Sequence, residues 1–171
     1  MPPADLTAEL EELHATAFGW AMSCCGWDRT AAEDVLQASY LKLLDGRARF
    51  DGRSSFRTFV FGVIARTARE ARRRAMLRRW LPLASLLLGP EAVDGRPDPA
   101  TAVVRDDETA RLVCALGRLS ERQRQVLHLV FYEDLTIAEA AVVAGVSVGT
   151  ARTHYERGKA ALKILLEKGR E

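Results

Sequence analysis

An all-α fold, made of two small helical domains on a flexible linker, is what this sequence predicts, and three observations predict it. Apolar residues recur at helical spacing along most of the chain, while the alternation expected of β-strands is essentially absent. Helix-start signals of the S/T-x-x-E/Q kind recur at Thr30–Glu33, Ser120–Gln123 and Thr136–Glu139. One stretch, from Gly89 to Asp107, collects Gly89-Pro90, Gly95, Pro97 and Pro99 with mostly acidic charge, a composition that resists regular structure. The expected division is a three-helix domain over residues 1–80, a linker over 81–107 and a four-helix domain over 108–171.

The first helix is expected from Ala4 to about Cys24, where Leu6, Leu10, Leu13, Ala17 and Ala21 form one apolar stripe. A second begins at the Thr30/Glu33 box, carries Leu36, Tyr40, Leu43 and Leu44 on one side, and stops at Asp45-Gly46. After a short loop, a long third helix starts at Ser54 or Ser55. Phe56, Phe59, Val60, Val63 and Ile64 follow the spacing of a buried face. Beyond Ala65 that face gives way to Arg66, Arg69, Arg72, Arg73 and Arg74, so the helix is expected to leave the core as a cationic rod. In the second domain Thr109 to Leu116 forms a support helix and Glu121 to Phe131 the next. The Thr136 box opens a short helix, Ala144-Gly145-Val146-Ser147 makes a tight glycine turn with a serine cap, and a polar, basic helix follows. Two short helices joined by such a turn are the ingredients of a helix-turn-helix that reads the major groove.

Composition narrows the function class. A 48% apolar content is enough for a packed core, and 28% charged residues argue against disorder. The net charge of +2 hides a segregated distribution: residues 1–46 carry −6 and residues 47–79 carry +9, with eleven arginines against Asp51 and Glu70. A basic centre of this kind is the footprint expected where phosphates dock, since a merely soluble face would intersperse both signs. Cys24, Cys25 and Cys114 have no metal-ligand spacing, nor do His14 and His128, so free buried thiols in a reducing compartment are expected, with no metal and no cofactor. The longest apolar run, Trp80 to Leu88, is too short to span a bilayer and contains Pro82, and the N-terminus lacks a basic leader, which points to a cytoplasmic protein.

Arg49-Phe50-Asp51-Gly52-Arg53-Ser54-Ser55-Phe56-Arg57-Thr58 combines arginines, aromatics and small hydroxyls around a glycine turn. That mixture suits a single strand, whose phosphates pair with arginine and whose unstacked bases stack and accept hydrogen bonds. For Phe56, Phe59 and Val63 the spacing favours a core role. The Trp80–Leu88 segment is readable either as an interaction element or as a stretch that packs back on the first domain.

These residues carry a family resemblance. Ala32-Glu33-Asp34-Val35-Leu36-Gln37 and the Arg49–Phe59 run are similar to region two of the extracytoplasmic-function sigma factors of bacterial RNA polymerase. Leu119-Ser120-Glu121-Arg122-Gln123-Arg124-Gln125-Val126-Leu127 and Gly145-Val146-Ser147-Val148-Gly149-Thr150-Ala151-Arg152-Thr153 resemble region four of the same family, in the right order and at a suitable separation. The resemblance implies a non-enzymatic factor that binds core RNA polymerase at its β′ clamp and β flap and directs promoter recognition and melting. Asp34 and Gln37 would dock the clamp. Arg49, Phe50, Asp51, Gly52, Arg53, Ser54 and Ser55 would capture a flipped base of the −10 element, and Arg57, Phe61, Arg66 and Arg69 would hold the edge of the melting duplex. Ser147, Thr150, Arg152, Thr153 and His154 would read the −35 element, with Arg157 and Lys159 nearer phosphates. An anti-sigma factor is a further implied partner, and the implied location is the cytoplasm, at the nucleoid or held at the membrane through that partner. The chain departs from the common pattern at Ala38, Phe59, Gly62, Thr67, His154, Glu156 and Gly158, changes that bear on promoter sequence and phosphate affinity.

Two other classes stand beside this reading. A helix-turn-helix regulator would bind operator duplex as a dimer without polymerase, yet would not require the arginine-rich third helix. A nuclease would need a carboxylate or histidine cluster beside the basic surface, where only Asp51 and Glu70 are available.

Overall fold

A computed structural model describes residues 4–80 and 107–168. Among them every regular element is helical: α1 Ala4–Cys24, α2 Arg29–Leu44, α3 Phe56–Trp80, α4 Asp107–Gly117, α5 Glu121–Leu127, a π-helical turn His128–Tyr132, α6 Ile137–Ala144 and α7 Val148–Lys168. The linker and the apolar stretch after Trp80 lie outside the described residues.

Local side-chain chemistry sets most helix ends. Ser120 with Gln123 and Thr136 with Glu139 form reciprocal capping boxes at α5 and α6. Gly145 closes α6 in the left-handed region (φ 66°), and the Ser147 hydroxyl accepts from the Thr150 N–H at the start of α7. Ser55 does the same for Thr58 at α3. The second helix differs from expectation. Its cap is Asp28, whose carboxylate accepts from the Ala31 N–H, so Thr30 lies inside the helix and Glu33 pairs with Arg29 at 2.9 Å. Asp is as good an N-cap as Ser or Thr, and the earlier start adds two residues to the helix.

In α1 the buried face is Leu10, Ala17, Trp20, Ala21 and Cys24, and in α2 it is Ala32, Val35, Leu36, Ser39 and Leu43. The buried face of α3 is rotated from the predicted stripe: Val60, Phe61, Ile64, Ala65 and Ala68 are buried, while Phe56, Phe59 and Val63 are half-buried. The reason is that α3 is sandwiched. It packs on α1 and α2 on one side and on α6 on the other, so one stripe could not describe it. Burial also continues past Ala65 to Ala68, and the exposed cationic stretch runs from Ala71 to Arg78.

The two bundles share one continuous core: Trp20, Phe61 and Ile64 pack in the same cluster as Leu129, Leu135, Ala140 and Val143. The predicted helix from Glu121 to Phe131 is instead α5 followed by the π turn. The wider turn lets Leu129 bury completely while Phe131 and Tyr132 stay exposed.

Gly158, one of the departures from the common pattern, is buried where α7 meets α5. A Cβ there would lie 3.0 Å from Leu127 Cδ1 and 3.2 Å from Gln123 Cβ. Glycine therefore permits the close approach of the two helices. Gly158→Leu should lower the stability of the chain by about 1–3 kcal/mol through overpacking, read as a drop in the midpoint of thermal unfolding. An unchanged midpoint would mean that the two helices do not meet here.

Candidate nucleic-acid interface

The loop before α3 is shaped by its own charges. Asp45 accepts from the Arg47 N–H and pairs with Arg47 Nε at 3.1 Å, and Asp51 does the same for Arg53, again at 3.1 Å. Gly46 and Gly52, both at φ 75°, supply the left-handed turns that bring those groups round. Asp51 is thus a loop-shaping residue as well as a candidate base contact. Arg49, Asp51, Gly52 and Arg53 are exposed. Phe50, 45% exposed, stands edge-on to Phe56 at 5.6 Å and tilted to Phe59 at 5.4 Å, an aromatic platform open on one side. Ser54 donates to the Ser55 carbonyl, while the Ser55 hydroxyl is occupied in capping α3 and bonds Thr58 Oγ1 at 2.8 Å.

Along α3 the predicted contacts separate. Arg66 is exposed. Arg57 is half-buried, lies over the Phe61 ring at 5.9 Å and donates to the backbone carbonyl of Glu133. Arg69 is half-buried with its guanidinium beside Gly145, 3.4–3.5 Å from where a Cβ would stand. Burial, then the neighbouring charges of Arg122 and Arg66, lower its pKa from the usual arginine value. Phe61 corrects the sequence reading. It has no exposed surface and stacks on Trp20 at 5.9 Å, so in this arrangement it is a core residue and not a DNA contact. Lys42 ties α2 to α3 through Thr67 Oγ1 at 3.1 Å and Glu70 at 2.7 Å, and its hydrogen bond holds the Glu70 carboxyl below the usual carboxylate range.

On α7 the exposed predicted residues are Ser147, Thr150, Arg152, Thr153, Arg157 and Lys159, while His154 is half-buried. Ala151 and Gly158 face the core. At about 100° per residue, Gly149, Thr153 and Glu156 fall opposite that buried edge. Thr150 and Arg157 then flank them on one side, Arg152 and Lys159 on the other. This is the i, i+3, i+4, i+7 face with which a recognition helix enters a groove. Glu156 is exposed in the middle of it.

A third surface lies between α1 and α2. Asp34 and Gln37 are exposed beside a groove with Phe18, Tyr40, Leu41 and Leu44, and Leu41 is 58% exposed. Glu33 is taken up by Arg29, whereas Asp34 points out.

Cys24 and Cys25 are held as neutral thiols: burial pushes Cys24 up and brings Cys25 to about 11. No three His, Cys, Asp or Glu residues gather to hold a metal among the described residues, and no described helix is long and apolar enough to cross a membrane.

Sequence reasoning missed Trp20, Glu121, His128 and Glu133, which join the two bundles. Trp20 donates to the Phe61 carbonyl at 3.0 Å and meets the His128 ring at 5.4 Å, and Glu121 pairs with Arg72 at 2.5 Å. The one available signal was a tryptophan three residues beyond Ala17, on the predicted apolar stripe of α1.

Comparison with known proteins places the same segments together. Residues 10–78 match the family described as Sigma-70 region 2, and residues 109–162 match Sigma-70, region 4. The sequence is 32% identical to the ECF RNA polymerase sigma factor SigF of Caulobacter vibrioides, over 81% of this chain and 70% of that one. It is 28% identical to the RNA polymerase sigma factor CnrH of Cupriavidus metallidurans, over 93% of this chain and 85% of that one. Among solved structures, the sigma factor RpoE of Bartonella quintana, in complex with the anti-sigma factor NepR, matches with a TM-score of 0.71 at 22% identity. That match covers 96% of this chain and 98% of RpoE. CnrH in complex with the cytosolic domain of CnrY gives 0.61 at 25% identity, covering 94% and 87%.

Proposed function

We infer, from the premise that this chain belongs to the sigma-70 family as an extracytoplasmic-function sigma factor, that it binds core RNA polymerase and directs promoter recognition and melting. It does so as a non-enzymatic factor. The observation that carries the reading is the pairing on one chain of an exposed arginine–aromatic loop ahead of α3 with a capped helix-turn-helix whose outer face is polar and basic. One suits an unwound strand, the other a paired groove. Arg49, Phe50 and Arg53 are the proposed strand contacts, with Ser54 beside them. Thr150, Arg152 and Thr153 are the proposed base readers of the −35 element, with Ser147 and His154 at their edges and Arg157 and Lys159 toward phosphate. The α1–α2 groove around Asp34 and Gln37 is the proposed seat of the β′ clamp, and the C-terminal bundle the proposed seat of the β flap. One related structure is a complex with an anti-sigma factor; a partner of that kind is proposed here too, holding the factor in the cytoplasm or at the membrane until release.

The arginine-rich α3 favours this reading over a stand-alone operator-binding regulator. Run-off transcription from selected promoters by core polymerase, with and without the purified chain, tests it. No transcript dependent on the chain would reject it. In the same assay Asp34→Lys should weaken assembly with core polymerase by about tenfold, or 1.4 kcal/mol. Stability should stay within about 0.5 kcal/mol, since the residue is exposed. Unchanged assembly would remove the clamp assignment.

A further inference from the structure

We propose that Glu156 reads a base: its carboxylate selects cytosine in the −35 element through the exocyclic amine. The proposal rests on the reading of α7 as a recognition helix given above. Glu156 is exposed on the side away from the buried Ala151 and Gly158, beside Gly149, Thr153 and Ala160, which are exposed too. Small residues there let the helix enter far enough for a longer side chain to reach base edges. Arg152 precedes Glu156 by one turn and Lys159 follows it by three residues, positions from which either could pair with it. Neither does. Among the described residues the one ion pair within α7 joins Lys163 to Glu167, and the Lys159 ammonium lies over the Tyr155 ring at 5.0 Å. The Glu156 carboxylate therefore stands without a protein partner on the face that enters the groove.

The short hydroxyls of the same face are already engaged. Thr153 donates to the Gly149 carbonyl at 3.0 Å, and Thr150 shares a hydrogen bond with the Ser147 cap at 2.8 Å. Arg152 and Glu156 keep their full hydrogen-bonding capacity, one as donor and the other as acceptor. Phosphates repel a carboxylate, so it gains in a DNA groove only where a donor meets it. The donors of the major groove are the amines of cytosine N4 and adenine N6, whereas guanine and thymine present acceptors. Adenine sets N7, a second acceptor, beside its amine; cytosine carries no acceptor on that edge and is the better partner. One turn of helix rises about 6 Å and one base step about 3.4 Å, so a guanine read by Arg152 and the cytosine read by Glu156 fall within about two base pairs of each other.

The test uses holoenzyme assembled from core polymerase and the full chain, transcribing a promoter library randomised across the −35 element, with the transcribed templates sequenced. The native chain should favour cytosine at one position, within about two base pairs of a preferred guanine. Glu156→Ala should relax the cytosine preference by about fivefold or more and leave the other positions within about twofold. Glu156→Gln, whose amide both donates and accepts, should move the preference at that position toward adenine. A native profile without that cytosine, a cytosine preference that survives in either variant, or a change spread evenly over all sequences overturns the proposal. Because Glu156 is exposed and unpaired, both variants should keep the native unfolding midpoint, which separates altered reading from a folding defect. An Arg152→Ala arm keeps the two readings apart. A relaxed guanine preference there, with no effect of Glu156→Ala, sinks the role of Glu156 alone, whereas no positional effect in either arm sinks α7 as the helix that enters the groove.

Discussion

Trp20→Ala should destabilise the chain by about 3–5 kcal/mol, the range for deleting a buried aromatic side chain. Trp20 has no exposed surface, donates its indole N–H to the Phe61 carbonyl at 3.0 Å, stacks on Phe61 and touches the His128 ring. It is therefore packed against α3 in its own bundle and against the π turn in the other. Its removal opens a cavity at the place where the shared core joins, so the loss should be larger than for a residue buried in one bundle alone. Chemical denaturation followed by helical circular dichroism would measure it. A second consequence separates this account from simple cavity formation. With the junction loosened, the two bundles should melt in distinguishable steps, because the contact that made their unfolding one event is gone. Trp20→Phe should cost less than Trp20→Ala, since an aromatic ring stays in the stack and only the N–H donor and part of the ring volume are lost. A loss below about 1 kcal/mol for Trp20→Ala would mean that the core is not continuous across the two bundles.

That junction is where sequence reasoning was weakest, and the reason is physical. Helix caps act over three or four residues, so Ser120, Thr136, Gly145 and Ser147 could be read directly, and the structure has them as expected. Where two local signals compete, as with Asp28 and Thr30, spacing alone does not choose between them. Contacts between bundles join residues far apart in the chain: Arg57 reaches Glu133, and Arg72 reaches Glu121. No periodicity encodes such a pair. The same non-local packing turned Phe61 from a predicted DNA contact into core and left Phe59 only half-buried, because α3 must satisfy two neighbours at once. The loop from Arg49 to Ser55 could be singled out from its composition, and the structure has Arg49, Phe50, Gly52 and Arg53 at the surface. Its internal bookkeeping could not be: the pairing of Asp51 with Arg53 depends on the left-handed turn at Gly52.

Arg152→Ala should lower transcription selectively at promoters bearing the cognate −35 sequence, by a contact of about 1–3 kcal/mol. The residue is exposed on α7, one turn after the Ser147 cap, and it flanks the face formed by Gly149, Thr153 and Glu156. Two properties of that face point to base reading. The neighbouring positions are small or short, which lets the helix sit deep in the groove, and the planar guanidinium fork suits guanine O6 and N7. Glu156, one turn further on, repels phosphate and so disfavours a purely electrostatic role at this point on the helix. Arg152→Lys discriminates between the alternatives. It keeps the charge and loses the fork, so a base contact predicts loss of discrimination with nonspecific affinity retained, whereas a phosphate contact predicts little change. Measured across a panel of −35 variants at two salt concentrations, a uniform loss, with the salt slope reduced by about one for Arg152→Ala, would assign the residue to phosphate instead. Selective loss at one base position, with the slope unchanged, would identify which base pair α7 reads at its N-terminal turn.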